Sequence, residues 1–293
     1  MALEFQPFDP AELADPFPTY RRLRSESPVH WEPSLRRWVL TRYADVAAAL
    51  RDPRFSARRP APNREGVPLQ LQSSLDAVFR HTSLWMIMVD PPSHTRLRGL
   101  VSAAFTTREI QRFTSNIQTV ADELLDIACE AREIDLVTDF AYPLALTIIG
   151  DMIGFPRADQ QQIRDWSDDL TRINGGWRFA PDRDELPRRA EQSLAEFSDY
   201  LRALIRERRA RPRRDLLSTL VEADRRGDVQ SEEELLALCT LLIQAGHGTT
   251  ASMISGGMLA LLRNPDQLHE LRGNPSLAPL AVEEMLRYDG PVQ

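Results

Sequence analysis

Four groups of residues carry side chains whose type and spacing suit chemistry. The first is Ala245-Gly246-His247-Gly248-Thr249-Thr250. At three- and four-residue spacing, Ala245, Gly248 with Thr249, Ser252 and Gly256 form one helix face made of almost nothing, to which Thr249 offers a hydroxyl. Glycine inside a helix costs roughly 1 kcal/mol relative to alanine, so two of them call for a packing or a functional reason. A second helix crossing closely is one reading, and a large flat ligand is the other. His94 and Arg98 make the second group. Four residues apart, they share a helix face and suit a carboxylate pair or a phosphate, or simply a solvated surface. The third group is the apolar run Leu84 to Val89, in which Trp85, Met86, Ile87 and Met88 form either plain core or the wall of an apolar pocket. The fourth is Glu284 with Arg287, three apart and able to pair for a few tenths of a kcal/mol.

The first group sits mid-way along an element with clear ends. Ser231 and Glu234 form a capping box, and Asn264-Pro265 stops the helix. About 32 residues lie between, roughly 48 Å at 1.5 Å rise each, enough to cross a whole domain. Before it, apolar spacing of three and four predicts helices near 108–131, 139–154, 157–173, 187–210 and 215–226. Asp90 is expected to cap a helix opening on Pro91-Pro92 and carrying His94 and Arg98. Nearer the N-terminus, a short helix follows Asp15-Pro16, a hairpin joins Val29–Trp31 to Trp38–Thr41, and a small helix covers Tyr43 to Arg51. Residues 56–72 read as a long loop, with a helical turn around Leu71 to Arg80. Trp177-Arg178-Phe179 is either an aromatic lid or a capped loop. Two short helices, Pro265 to Arg272 and Leu277 to Tyr288, follow the long one.

A chain of 293 residues with 27% charged and 42% hydrophobic residues is ordinary for a globular protein. A net charge of −7 argues against a nucleic-acid binder. The cluster at Arg202, Arg206, Arg208, Arg209, Arg211, Arg213 and Arg214 suits a solvated helix end better than a nucleic-acid patch. No secretory signal opens the chain, and no run of 18 consecutive apolar residues points to a membrane. Cys129 and Cys239 lack metal-site spacing and read as thiols in a reduced compartment. Together these features predict a cytoplasmic protein, and its length allows one large domain or two ordinary ones.

Four motifs in a fixed order along the chain resemble cytochromes P450 of the soluble bacterial type. Asp90-Pro91-Pro92-Ser93-His94-Thr95-Arg96-Leu97-Arg98 is similar to the family's haem-propionate helix, and Ala245 to Thr250 to its oxygen-binding helix. Glu284-x-x-Arg287 matches its Glu-x-x-Arg signature, continued by Tyr288 to Gln293, and Asp15 to Tyr20 resembles its first helix. The resemblance implies a mainly α fold with small β-sheets and haem b (iron protoporphyrin IX). It also implies electrons from NAD(P)H through ferredoxin and ferredoxin reductase or similar donors, and a small apolar organic substrate. By the same carry-over His94 and Arg98 bind the propionates, and Ala245, Gly246 and Thr249 lie along the cofactor. Thr249, helped by Thr250, handles bound oxygen and its protons. Trp85 to Met88, Trp177 and Ala245 shape the substrate pocket, and Glu284 and Arg287 are structural.

Two departures qualify this. The family's cysteine ligand lies in a Gly-rich loop well beyond the Glu-x-x-Arg helix, so it is expected past Gln293. The chain as given reads as an N-terminal part without metal ligand, not expected to perform the normal reaction. Gly248 stands where the family has an acid, which predicts slower or less coupled oxygen activation. His247 is a poor replacement, because neighbouring helix residues point about 100° apart. A non-catalytic haem- or ligand-binding helical protein and a cofactor-free scaffold are the alternatives.

Overall fold

The computed structural model describes residues 5–59, 67–131, 133–175, 177 and 180–292. Short elements open the chain: α1 (Pro10–Ala14), α2 (Phe17–Glu26), the strands β1 (Val29–Glu32) and β2 (Arg37–Leu40), and α3 (Tyr43–Ala49). The strands pair antiparallel with Trp31 opposite Trp38, as the alternating hairpin pattern predicts, and they form the one sheet among the described residues. α4 (Leu69–Thr82) is a full helix where only a helical turn was expected. Its Leu71, Leu75 and Val78 recur at helical spacing and are buried, so packing organises a segment whose flanks look loop-like. Residues 60–66 of the expected loop lie outside the described residues.

The body of the fold is helical: α5 (Ser93–Ala104), α6 (Thr107–Ala131), α7 (Tyr142–Ile153), α8 (Gln160–Asn174), α9 (Leu186–Ala210) and α10 (Leu216–Arg225). A π-helical turn, Leu136–Ala141, leads into α7. Leu136–Ile153 is long and apolar enough to cross a membrane by length and composition, with mean hydropathy 1.4. Within it, however, Leu146, Ile149 and Ile153 join the main apolar cluster with α8, α9 and α11 residues, which accounts for their hydropathy without lipid.

α11 (Glu232–Arg263) is the 32-residue helix the sequence predicts, and Ser231 caps it by accepting from the Glu234 N–H at 3.1 Å. The capping box is only half made. The Glu234 carboxylate accepts from the Gln230 N–H and from Arg96 of α5 instead of returning to Ser231. Leu235, Leu236, Leu238 and Ile243 bury the first half of α11 in the main core. α12 (Pro265–Gly273) and α13 (Ala278–Tyr288) fold back beside its second half.

The basic cluster at the end of α9 is largely neutralised. Arg202 pairs with Glu232 and Asp199, Arg209 with Asp224, and Arg213 with Glu207. Arg208 is buried, donating to Asp215 at 2.7 Å and to the carbonyl of Gly154 at 2.6 Å. Gly154 ends α7 at φ 100°, a left-handed turn that places this carbonyl, and Asp215 lies where a side chain would stand.

Candidate functional site

α11 is where the chemistry-bearing residues meet the fold, and its sides differ. On one side, a Cβ added at Gly246 would stand 2.5 Å from Cγ1 of Ile149 on α7. Gly246 therefore permits a close helix crossing, and its candidate place along a cofactor is not where its missing side chain points. Further on, a Cβ at Gly257 would meet Sδ of Met285 on α13 at 2.5 Å. The close helix crossing thus accounts for Gly246 and Gly257, and it does not account for Gly248 and Gly256.

A second side is open. An added Cβ at Gly248 or Gly256 would meet nothing within 4 Å, and Ala245 and Ser252 on the same strip are exposed. Thr249 borders the strip, and its hydroxyl donates to the carbonyl of Ala245 at 2.8 Å. The hydroxyl oxygen keeps both lone pairs for an incoming donor. Thr250 donates to the Gly246 carbonyl at 3.0 Å and lies about 100° round from Thr249, off the strip.

His247 turns away from the strip and is buried. Its Nδ1 lies 2.7 Å from the Ile243 carbonyl, which only a ring N–H can satisfy, and its Nε2 lies 3.8 Å from Asp168 on α8. Tyr142 meets the ring edge-on and donates to Asp168 at 2.6 Å. Burial, reinforced by that carboxylate, raises the Tyr142 phenol far above its usual range. His247 is thus held by groups behind the helix, away from the strip.

α5 carries the two candidate cations. Asp90 does not cap it. Its carboxylate accepts from Ser56 Oγ at 2.6 Å and the Ala57 N–H at 2.8 Å, and the helix begins at Ser93. These bonds hold the Asp90 carboxyl below its ordinary range. Arg96 ties α5 to α11 through Glu234, with Nη1–Oε2 at 2.8 Å and Nη2–Oε1 at 2.5 Å. His94 and Arg98 lie roughly 160–200° round α5 from Arg96. Neither makes an ion pair among the described residues, and Arg98 is exposed. The same spacing that set Arg96 apart from them identifies it as the docking residue, a role that sequence reasoning missed.

The run Leu84 to Val89 divides between its two readings. Trp85 and Met88 are buried against Ala237 and Leu241 of α11. Met86 is partly buried and Ile87, on the 3₁₀ turn Met86–Met88, is 53% exposed. Trp177 packs against the main core, while Arg178 and Phe179 lie outside the described residues. Glu284 and Arg287 pair at 2.6 Å on the exposed face of α13. Cys239 is fully buried on α11, where desolvation pushes its thiol up to about 12, and Cys129 is exposed on α6.

The arrangement is a mainly helical one with a small sheet: one long helix carries an open small-residue strip and a hydroxyl, and a second helix carries His94 and Arg98, which make no ion pair among the described residues. A family model described as Cytochrome P450 matches residues 73–274. Cytochrome P450 CYP107DY1 of Priestia megaterium is 40% identical over 97% of this chain and 70% of its own length. Cytochrome P450 monooxygenase PikC of Streptomyces venezuelae is 39% identical over 96% of this chain and 64% of its own. Epothilone B-bound P450epoK superposes with a TM-score of 0.86 at 32% identity, covering 98% of this chain and 71% of that one. The chain belongs to the cytochrome P450 family, and it spans about two thirds of the length of these relatives.

The family implies haem, and the residues present fit it. The open strip of α11 accepts a flat apolar face, and the free charge on α5 suits an anionic edge.

Proposed function

We propose that the protein acts as a haem-thiolate monooxygenase, inserting one oxygen atom of O2 into an apolar organic substrate. In this reading residues 1–293 form one P450-like domain, and NAD(P)H supplies electrons through a ferredoxin-type donor and its reductase. The observation that carries the reading is the strip of α11 beside Thr249, open at Gly248 and Gly256 where the same helix is crossed tightly at Gly246 and Gly257.

Haem b, when bound, supplies oxygen activation and one-electron chemistry. The protein's own residues do the rest. Arg98, with His94 one turn before it, holds the carboxylates of such a group by charge-assisted hydrogen bonds. Ala245, Gly248 and Gly256 give it a flat surface free of side chains. The Thr249 hydroxyl holds its proton at the Ala245 carbonyl and accepts from water at its free lone pairs, so rotation about the Cβ–Oγ1 bond turns that proton toward the strip and the water replaces it as it is given up. With Gly248 in place of an acid, protons reach Thr249 through water or a hydroxyl on the substrate. Neither cysteine suits the thiolate role: Cys239 is buried among apolar side chains with a raised pKa, and Cys129 sits on α6, away from the strip-bearing helix.

Met86 and Ile87 supply the accessible apolar wall for the substrate, with Ala245 at its base. The solved structure of P450epoK holds epothilone B, which supports an organic molecule as the substrate class. Two free thiols, one of them exposed, fit a reducing cytoplasm. Haem retention tests the reading. The wild-type protein should co-purify with haem, and Arg98→Glu should retain about tenfold less of it, because a charge reversal sets two anions face to face. Equal retention by the two would overturn the assignment.

A further inference from the structure

Thr240 lies nine residues before Thr249 on α11, two and a half turns and so on the opposite face, is 1% exposed, and gathers three bonds at one oxygen. Its hydroxyl proton goes to the Ala237 carbonyl at 3.0 Å. The indole N–H of Trp85, which can only donate, points at the same oxygen from 3.2 Å. Nε2 of His81, at the end of α4, lies 2.8 Å away. With the hydroxyl proton on the Ala237 carbonyl, His81 donates Nε2–H to the same oxygen; in the other tautomer Nε2 accepts that proton, and Thr240 Oγ1 joins the same three groups either way. Three elements, α4, the 3₁₀ turn and α11, are thereby joined at one buried atom.

The join controls a short span. The Met88 N–H donates to the Trp85 carbonyl at 2.7 Å, closing the Met86–Met88 turn, while Trp85 and Met88 pack on Ala237 and Leu241. At the far end Asp90 is held by Ser56 and Ala57. Residues 86–89 are therefore strung between two anchors, with the exposed Ile87 in the middle. We infer that Thr240 is a positioning residue, whose hydroxyl fixes the Trp85–Met88 segment as the wall of the substrate pocket. The pocket part of this rests on the proposed function; the anchoring does not.

Hydrogen exchange of residues 84–89 in the holoprotein separates the two. Thr240→Val keeps the side-chain shape but removes the acceptor, and Thr240→Ser restores it. Exchange over 84–89 should be at least about tenfold faster in Thr240→Val, and within about twofold of wild type in Thr240→Ser, with α7–α9 unchanged. Should Thr240→Val fail to fold, Trp85→Phe keeps a buried ring without the N–H and should also loosen the span. Wild-type exchange in the soluble variants overturns the anchoring. Myristate, as an apolar-chain probe, should slow exchange over 86–88 in wild type and Thr240→Ser, and bind several-fold more weakly to Thr240→Val. If the variants loosen the span but myristate gives wild type no protection there, the anchor stands and the pocket-wall role is overturned.

Discussion

Arg96 on α5 forks onto Glu234 in the first turn of α11, and a third bond carries its Nη1 to the Asp228 carbonyl at 2.8 Å. One guanidinium thus fixes the helix bearing His94 and Arg98 against the helix bearing Thr249. Glu234 is 7% exposed, so removal of Arg96 strands a nearly buried carboxylate. Arg96→Ala should cost roughly 2–3 kcal/mol in urea denaturation, discounted from a fully buried pair because Arg96 is partly solvated. Burial pushes the Glu234 carboxyl up, but bonds from Arg96 and the Gln230 N–H outweigh it and hold the carboxyl below its ordinary 4.5. The folded pKa lies below the unfolded one, so this stabilisation is present above 4.5 and fades as pH falls below it. Glu234→Gln should flatten that acid limb.

Two glycines two residues apart should respond oppositely to alanine. Gly246→Ala puts a Cβ 2.5 Å from Ile149, inside the α7–α11 crossing, and should destabilise by about 1–3 kcal/mol. Gly248→Ala meets nothing within 4 Å and should stabilise by about 0.5–1 kcal/mol through helix propensity alone. Denaturation midpoints of both variants check this, and equal shifts would refute the two-sided description of α11.

That two-sidedness marks the limit of what the sequence discloses. The ends of α11 were legible because Ser231 and Asn264-Pro265 are local signals whose physics needs no partner. The small residues were legible as a pattern, but which of them faces another helix depends on where α7 and α13 arrive. α4 was under-read because its apolar period is offset by a Pro- and Arg-rich approach. Asp90 looked like a cap by position alone, whereas its carboxylate goes to Ser56 and Ala57, more than thirty residues earlier in the chain. The shared acceptor at Thr240 had no sequence signal, since it joins residues about 160 positions apart.

Partly buried His81 predicts a pH dependence. Desolvation, with the Arg202 charge, lowers its pKa from 6.5 to about 4. The unfolded chain binds the proton more readily, so stability is complete above 6.5 and declines as pH falls toward 4. The loss should approach about 3 kcal/mol at the low end. His81→Gln, which can still donate to Thr240, should remove most of the decline between pH 6.5 and 5. An unchanged slope would show that His81 titrates normally.

Gly248 leaves room for the acid it replaces. Gly248→Glu should fold, since the space beyond its Cα is open, and should raise product formed per NADPH consumed. General acid–base assistance is worth about 10²–10⁴-fold in rate, and a several-fold gain in product per NADPH is expected where water already relays the proton. No gain would show that Gly248 is not where proton supply is limited.

The most direct test of the central claim is the Soret spectrum of the reduced, CO-bound protein, purified as its host makes it. Haem held along α11 and ligated by a cysteine other than Cys129 and Cys239 predicts the red-shifted band characteristic of thiolate ligation, and its intensity should collapse in Arg98→Glu. A band typical of histidine ligation, or no haem absorption in the wild-type protein, would contradict it.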